Sequence, residues 1–323
     1  MEIIPQFLIL IVGFVLLIKG ADFFVDGASS TASNFRVPKI LIGLTIVAFG
    51  TSAPELAVSM QALANGSTDM VLGNVIGSNI INILLILGIA AVIRPLKIRN
   101  NTVKKEIPIA ILISTLLVVL FLDVQLGSGT TDQITRSDAI AILLFFVIFL
   151  YYLIRTAISE HKNLKKQKTI EKPRWKLPLS LSIVAIGLAG IIIGSELVVN
   201  SASSIASFFG MSERLIALTI IALGTSLPEL VTTIVSAKKG ETDLMLGNIL
   251  GSNIFNICIV LGVPVAIFGT VTPASFQIVD LIVLVFSAIL LWIFSLSKHK
   301  ISRLEGAMML LAFAVYYTVI FIV

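Results

Sequence analysis

The chain has 323 residues, 57% hydrophobic and 13% charged, with 23 Lys and Arg against 18 Asp and Glu, a net charge of +5 and a mean hydropathy of +1.06. Soluble domains carry about 25% charged residues, so this composition excludes a soluble globular protein and predicts a membrane chain. The single Cys258 excludes an intramolecular disulfide, and His161 and His299, both in basic loops, leave little for a thiol enzyme or a zinc centre.

A segment of about 20 apolar residues spans the roughly 30 Å hydrocarbon core, and such runs recur along the whole chain. In chain order they predict ten spans: 6 to 33, 39 to 64, 69 to 93, 106 to 123, 138 to 156, 177 to 207, 214 to 237, 243 to 268, 278 to 297 and 302 to 322. The first is not a signal peptide, because no A-x-A-like cleavage site follows it and it runs on through GADFFVDGASS. Twenty of the 23 basic residues fall in alternate loops; Arg136 and Arg214 lie on the opposite side, and Lys19 within span one. The positive-inside tendency makes the basic loops cytoplasmic and turns both termini outward. This sorting by membrane side explains the positive charge without a nucleic-acid partner. The chain divides into a unit at 1–156, a basic cytoplasmic linker at 157–176 that is too short for a regulatory domain, and a second unit at 177–323.

Residues 43 to 88 align with 217 to 262 at a constant offset of 174 without gaps, and 24 of the 46 positions are identical. One copy reads LTIVAFGTSAPEL and GNVIGSNIIN; the other reads LTIIALGTSLPEL and GNILGSNIFN. The offset also pairs GADFFVDGASSTAS with GSELVVNSASSIAS. An odd number of spans per unit inserts the second unit upside down. The predicted fold is therefore an all-α membrane protein of ten transmembrane helices in two inverted five-helix repeats, with broken helices 2, 3, 7 and 8 around a midplane ion site.

The most polar residues of each copy stand where the hydrocarbon is thickest: Thr51, Ser52, Pro54 and Glu55 in span two, and Thr225, Ser226, Pro228 and Glu229 in span seven. Proline loosens the helix and frees carbonyls, predicted around Ala48 to Thr51 and Ala222 to Thr225. Ser78 and Asn82, and likewise Ser252 and Asn256, stand one turn apart and can share a helix face. A carboxylate at the bilayer centre costs at least about 2.5 kcal/mol and reads as an ion or proton site. Neither span two nor span seven offers a basic residue at that depth, and Lys19 has no symmetry counterpart, since Ile193 takes its place. Carboxylates, hydroxyls, amides and freed carbonyls form an all-oxygen site, which suits calcium better than magnesium. Zinc or copper would recruit His or Cys. Two nearby carboxylates repel each other when empty, so transit requires a divalent ion, several monovalent ions or protons. That requirement predicts exchange rather than passive conduction.

The duplicated GTSxPE and GNxxGSNIxN blocks resemble the alpha-repeats of the calcium/cation antiporter superfamily, in its sodium/calcium exchanger branch, over nearly the whole chain. The resemblance implies a diamond of four cation sites. Calcium would bind Glu55 and Glu229 with the backbone of Thr51 and Thr225; sodium would use Ser52, Ser78, Ser226 and Ser252, the carbonyls of Ala48 and Ala222, and shared oxygens of the two glutamates. Spans one and six would be sliding gates. Many prokaryotic relatives and the potassium-dependent branch carry Asp where this chain has Asn256; Asn82 and Asn256 line a site with only two charges, which argues against potassium co-transport. The proton/calcium exchangers usually carry GNxxE in place of GTSxPE, which counts against that branch but leaves calcium/proton antiport with the same glutamates as the alternative. The absence of a large regulatory insert fits a prokaryotic plasma (inner) membrane protein acting as a monomer without cofactors.

Asp69 and Asp243, each following Thr at the start of a span, read as helix N-caps. Asn79 and Asn253 read as ties from broken backbone to neighbouring helices. Asp22, Asp26 and Glu196 either line the access paths or pair with Lys19 or water. An intramembrane hydrolase fits poorly, because duplication yields two equal sites and no histidine lies in the membrane.

Overall fold

The computed structural model describes residues 3–127, 130–167, 172–211, 222–272, 278–297 and 299–322. The first part of predicted span seven with Arg214, the linker residues Lys168 and Glu171, and Lys298 lie outside them. The described chain is almost wholly helical. Its elements are α1 (Ile3–Phe35), α2 (Lys39–Thr51), α3 (Ala53–Ala64), α4 (Thr68–Ile93), α5 (Ile107–Phe121) and α6 (Arg136–Gln167). They continue with α7 (Leu177–Phe208), α8 (Ala222–Gly224), α9 (Leu227–Lys239), α10 (Thr242–Phe268), α11 (Ile278–Leu296) and α12 (Arg303–Ile322). Among the described residues six helices are long and apolar enough to cross a membrane, or seven if the bent pair α2 and α3 is one span. Large apolar side chains such as Ile4, Leu8, Leu144, Val147, Ile282 and Leu311 stand exposed on this surface, as a lipid-facing belt requires.

Three local differences from the sequence reading have physical causes. The helix α6 continues past residue 156 to Gln167, because the basic segment there is rich in Lys, Leu, Glu and Gln, which favour helix. A short antiparallel pair, β1 (Leu96–Lys97) with β2 (Lys300–Ile301), clips two basic loops together, with Leu96 opposite Ile301. Spans three and eight are continuous helices widened by π-turns at Ile81–Leu87 and Asn256–Leu261, not broken ones. Neither GSN block contains a proline, so i to i+5 bonding keeps the backbone satisfied there. The break between α2 and α3, in contrast, is real: Ser52 takes φ −88°, ψ 6° and the two pieces bend by 45°.

Two close helix contacts organise the interior. Helices α1 and α7 run antiparallel with glycines meeting backbone: a Cβ placed on Gly20 would come 2.7 Å from Ile191 N, and on Gly187 it would come 2.5 Å from Phe24 N. Small residues permit this approach where lipid supplies no hydrophobic drive. Helix α2 lies equally close to α10, where a Cβ on Gly43 would come 2.5 Å from Leu244 O and one on Gly251 would come 2.7 Å from Ala48 Cβ. Helix α10 is central, with 83% of its apolar window buried, whereas α6 is peripheral at 22%.

Candidate ion-binding site

The same backbone device positions both glutamates. Ser52 and Ser226 adopt nearly equal dihedrals, φ −88° and −87° with ψ 6°, and each starts a helix with Pro in its first turn. Glu55 and Glu229 then fall in those first turns, where the positive helix end favours a carboxylate. Pro228 has no N–H for the carbonyl of Gly224, and Ser195 Oγ of α7 donates to that oxygen instead at 3.2 Å. Ala48 does not show the loosening expected of it: its carbonyl accepts Ser52 N at 3.0 Å and Thr51 Oγ1 at 3.4 Å. The cause is register, since the donor missing at Pro54 belongs to residue 50. Ala222 begins the short segment α8, and Thr225 sits in the turn that follows it.

Glu55 and Glu229 are 1% and 0% exposed. Glu229 Oε1 accepts hydrogen bonds from Ser52 Oγ at 3.1 Å and Ser252 Oγ at 3.4 Å. Ser226 Oγ donates to Ser78 Oγ at 3.4 Å. Thr51 Oγ1 lies 3.4 Å from Ser252 Oγ and 3.0 Å from Asn248 Oδ1. Both oxygens of Glu55 and Oε2 of Glu229 are buried without a hydrogen-bond partner. Thus Glu55, Glu229, Thr51, Ser52, Ser78, Ser226 and Ser252 gather at one locus where oxygen is the only ligand chemistry. Among the described residues no group of three or more His, Cys, Asp or Glu side chains is placed to hold a metal ion.

An amide belt joins α4 to α10 beside this locus. Asn79 Nδ2 donates to Asn253 O at 3.2 Å and Asn253 Nδ2 to Asn79 O at 3.3 Å. Asn82 Nδ2 donates to Asn253 Oδ1 at 3.0 Å and Asn256 Nδ2 to Asn79 Oδ1 at 3.3 Å. Asn79 and Asn253 therefore tie helix to helix, as expected, although the backbone they hold is unbroken. Oδ1 of Asn82 and of Asn256 is unpartnered and so remains an available acceptor.

Other expectations change. Asp243 is inside the first turn of α10 and pairs with Arg99 at 2.6 Å instead of capping the helix, and Asp69 likewise lies inside the first turn of α4. In each case Thr precedes the Asp and already belongs to the helix, so the cap position falls one residue earlier, at Glu241 and Ser67. Asp22 and Asp26 pair with Lys239 at 3.3 and 2.7 Å, and Asp26 also with Arg174 at 2.9 Å, while Glu196 is exposed. Sequence reasoning passed over Asn74, Asn248, Ser195 and the buried hydroxyls Thr232, Thr233 and Ser236, which share the Glu229 face of α9. The duplicated GN pair could have flagged the two asparagines; nothing in the sequence marks Ser195.

A family model described as sodium/calcium exchanger protein matches residues 5–155 and 179–322. The chain is 42% identical over 323 residues to CaxA of Alkalimonas amylolytica, covering 96% of this chain and 97% of that protein. It is 30% identical over 348 residues to sodium/calcium exchanger MaX1 of Methanosarcina acetivorans, covering 98% of both. A solved structure of the sodium-calcium exchanger NCX_Mj superposes with a TM-score of 0.84 at 32% identity, covering 98% of this chain and 99% of that one. The fold is that of an all-helical membrane exchanger, and the chain belongs to the sodium/calcium exchanger family of membrane cation transporters, which are not enzymes.

Proposed function

We propose that the chain is a secondary active antiporter that exchanges calcium for sodium by alternating access. The observation that carries this reading is the set of three buried carboxylate oxygens, two on Glu55 and one on Glu229, with no hydrogen-bond partner. Unpaired buried charge is unstable in low dielectric, and no buried Lys or Arg neutralises it among the described residues. A bound cation does. Calcium takes both glutamates with the backbone of Thr51 and Thr225. Sodium takes Ser52, Ser78, Ser226 and Ser252 with the carbonyls of Ala48 and Ala222 and the shared glutamate oxygens, and Asn82 and Asn256 line the cavity.

In the proposed architecture ten spans form two inverted units, 1–156 and 177–323, joined by the linker 157–176, with both termini outside the plasma membrane of a monomer. The matching dihedrals of Ser52 and Ser226 and the reciprocal bonds of Asn79 and Asn253, residues 174 apart, support that symmetry. Sliding of the paired helices α1 and α7 would supply the gate. Calcium uptake into proteoliposomes under a sodium gradient with pH clamped tests the coupling. Uptake that follows sodium supports this reading, and uptake that ignores sodium but follows an imposed proton gradient establishes calcium/proton antiport on the same glutamates.

A further inference from the structure

Asn74 and Asn248 occupy equivalent positions in the duplicated GN blocks, yet their side chains bond differently. Asn74 Nδ2 folds back within its own half, donating to Glu55 O at 3.0 Å and to Ser59 Oγ at 2.9 Å. The offset of 174 places Glu229 and Thr233 where Asn248 would make the same two contacts. It does not take Thr233: Asn248 Nδ2 and Thr233 Oγ1 are both buried without a partner. Asn248 Oδ1 instead reaches across to the other half, accepting from Thr51 Oγ1 at 3.0 Å. That cross-bond stands where α2 closes on α10, beside the contact of Gly43 with Leu244 and Gly247.

Two identical groups in one molecule thus hold two different bonding states, and the second state leaves a buried amide and a buried hydroxyl unsatisfied. Buried polar groups without partners are disfavoured and call for an explanation. A second conformation in which they do pair provides one. We propose that Asn74 and Asn248 are paired positioning residues, a latch that trades partners when the transporter changes face. In the conformation described here Asn248 bridges to Thr51 and closes the α2/α10 side, while Asn74 is withdrawn onto Glu55 and Ser59. In the opposite conformation Asn248 withdraws onto Glu229 and Thr233, and Asn74 bridges to Thr225. Each withdrawn asparagine holds the main chain of the glutamate beside it, so the latch couples the shape of each half-site to the side from which the site is reached.

The latch rests on the alternating-access reading above, and its test separates the two. The half-saturating calcium concentration is measured on each face of uniformly oriented proteoliposomes. The ratio of the two values tracks the balance between the conformations, because a ligand's apparent affinity scales with the population of the state that binds it. Ser59→Ala removes a bond made only in the conformation described here, and Thr233→Val one made only in the other. Loss of one net hydrogen bond moves the ratio by roughly two- to tenfold, in opposite directions for the two variants. Asn74→Ala follows Ser59→Ala, Asn248→Ala follows Thr233→Val, and Thr233→Ser keeps the wild-type ratio. A merely structural role would lower exchange or melting temperature in both variants without moving the ratio in opposite senses. Shifts of the same sign, or an unchanged ratio in all four variants, overturn the latch. Absence of exchange in the wild type overturns the antiport reading before any variant is compared.

Discussion

Asn79 and Asn253 donate their side-chain amides to each other's main-chain carbonyls, at 3.2 and 3.3 Å. The bond pair joins two helices at residues 174 apart in the sequence, and Asn253 follows Ser252, which donates to Glu229. Because both groups are buried, removing one amide leaves a carbonyl of the partner short of its donor. Asn79→Ala and Asn253→Ala should each destabilise the protein by about 1–3 kcal/mol, read as thermal unfolding in detergent. The double variant should lose less than the sum of the two, since the pair acts as one unit. Strictly additive losses would mean that the two amides work independently.

Much of the site was legible because it was written twice. Glu55 and Glu229, the Ser and Thr before them, and the Asn of each GSN block share the offset of 174, and hydrogen bonds join Ser52 and Ser252 to Glu229 and Ser226 to Ser78. The remainder depended on partners far away in sequence. Ser195 matters because Pro228 leaves the Gly224 carbonyl without a helical donor, yet nothing in α7 announces that the two will meet. Asp26 meets Lys239 and Arg174 only after α1 packs against α9 and the segment before α7. The π-turns at Asn82 and Asn256 lie in plain apolar sequence, and the bonding frame of a helix is not encoded in hydrophobic periodicity. The repeat is most visible in the backbone at Ser52 and Ser226, which stand 174 residues apart and take nearly equal dihedrals.

Replacing either glutamate by glutamine tests the assigned charge count. Glu55→Gln and Glu229→Gln keep size and burial but remove one negative charge from a site that needs two to neutralise calcium. Loss of one partner from a buried charged contact costs on the order of 2–5 kcal/mol, so calcium exchange should fall by roughly 30- to 5,000-fold while the melting temperature without calcium stays unchanged or rises. Flux within threefold of wild type in either variant would remove that glutamate from the site.

The antiparallel contact of α1 with α7 leaves no room for a methyl group. A Cβ on Gly187 would lie 2.5 Å from Phe24 N, and one on Gly194 would lie 2.5 Å from Leu17 N; both neighbours are backbone, which yields only if the helices separate. Gly187→Ala and Gly194→Ala should therefore destabilise by about 1–3 kcal/mol each and slow exchange. Unfolding and flux indistinguishable from wild type would show that the two helices are free to stand further apart.

Cation binding should be visible in stability before any flux is measured. A ligand that binds the folded state alone contributes about 2.7 kcal/mol at a hundredfold excess over its Kd. Calcium should raise the melting temperature of the purified protein and chelation should reverse the shift. Magnesium at the same concentration should do much less, because it requires near-ideal octahedral oxygen geometry and retains its water, whereas these residues offer carboxylates, hydroxyls and amides in irregular positions. The calcium shift should vanish in Glu55→Gln, whose wild-type carboxylate has no hydrogen-bond partner within the protein. Glu229→Gln should abolish it as well, because its amide oxygen can still accept from Ser52 and Ser252 but the charge is gone. Equal stabilisation by calcium in the wild type and in Glu55→Gln would place the ion elsewhere.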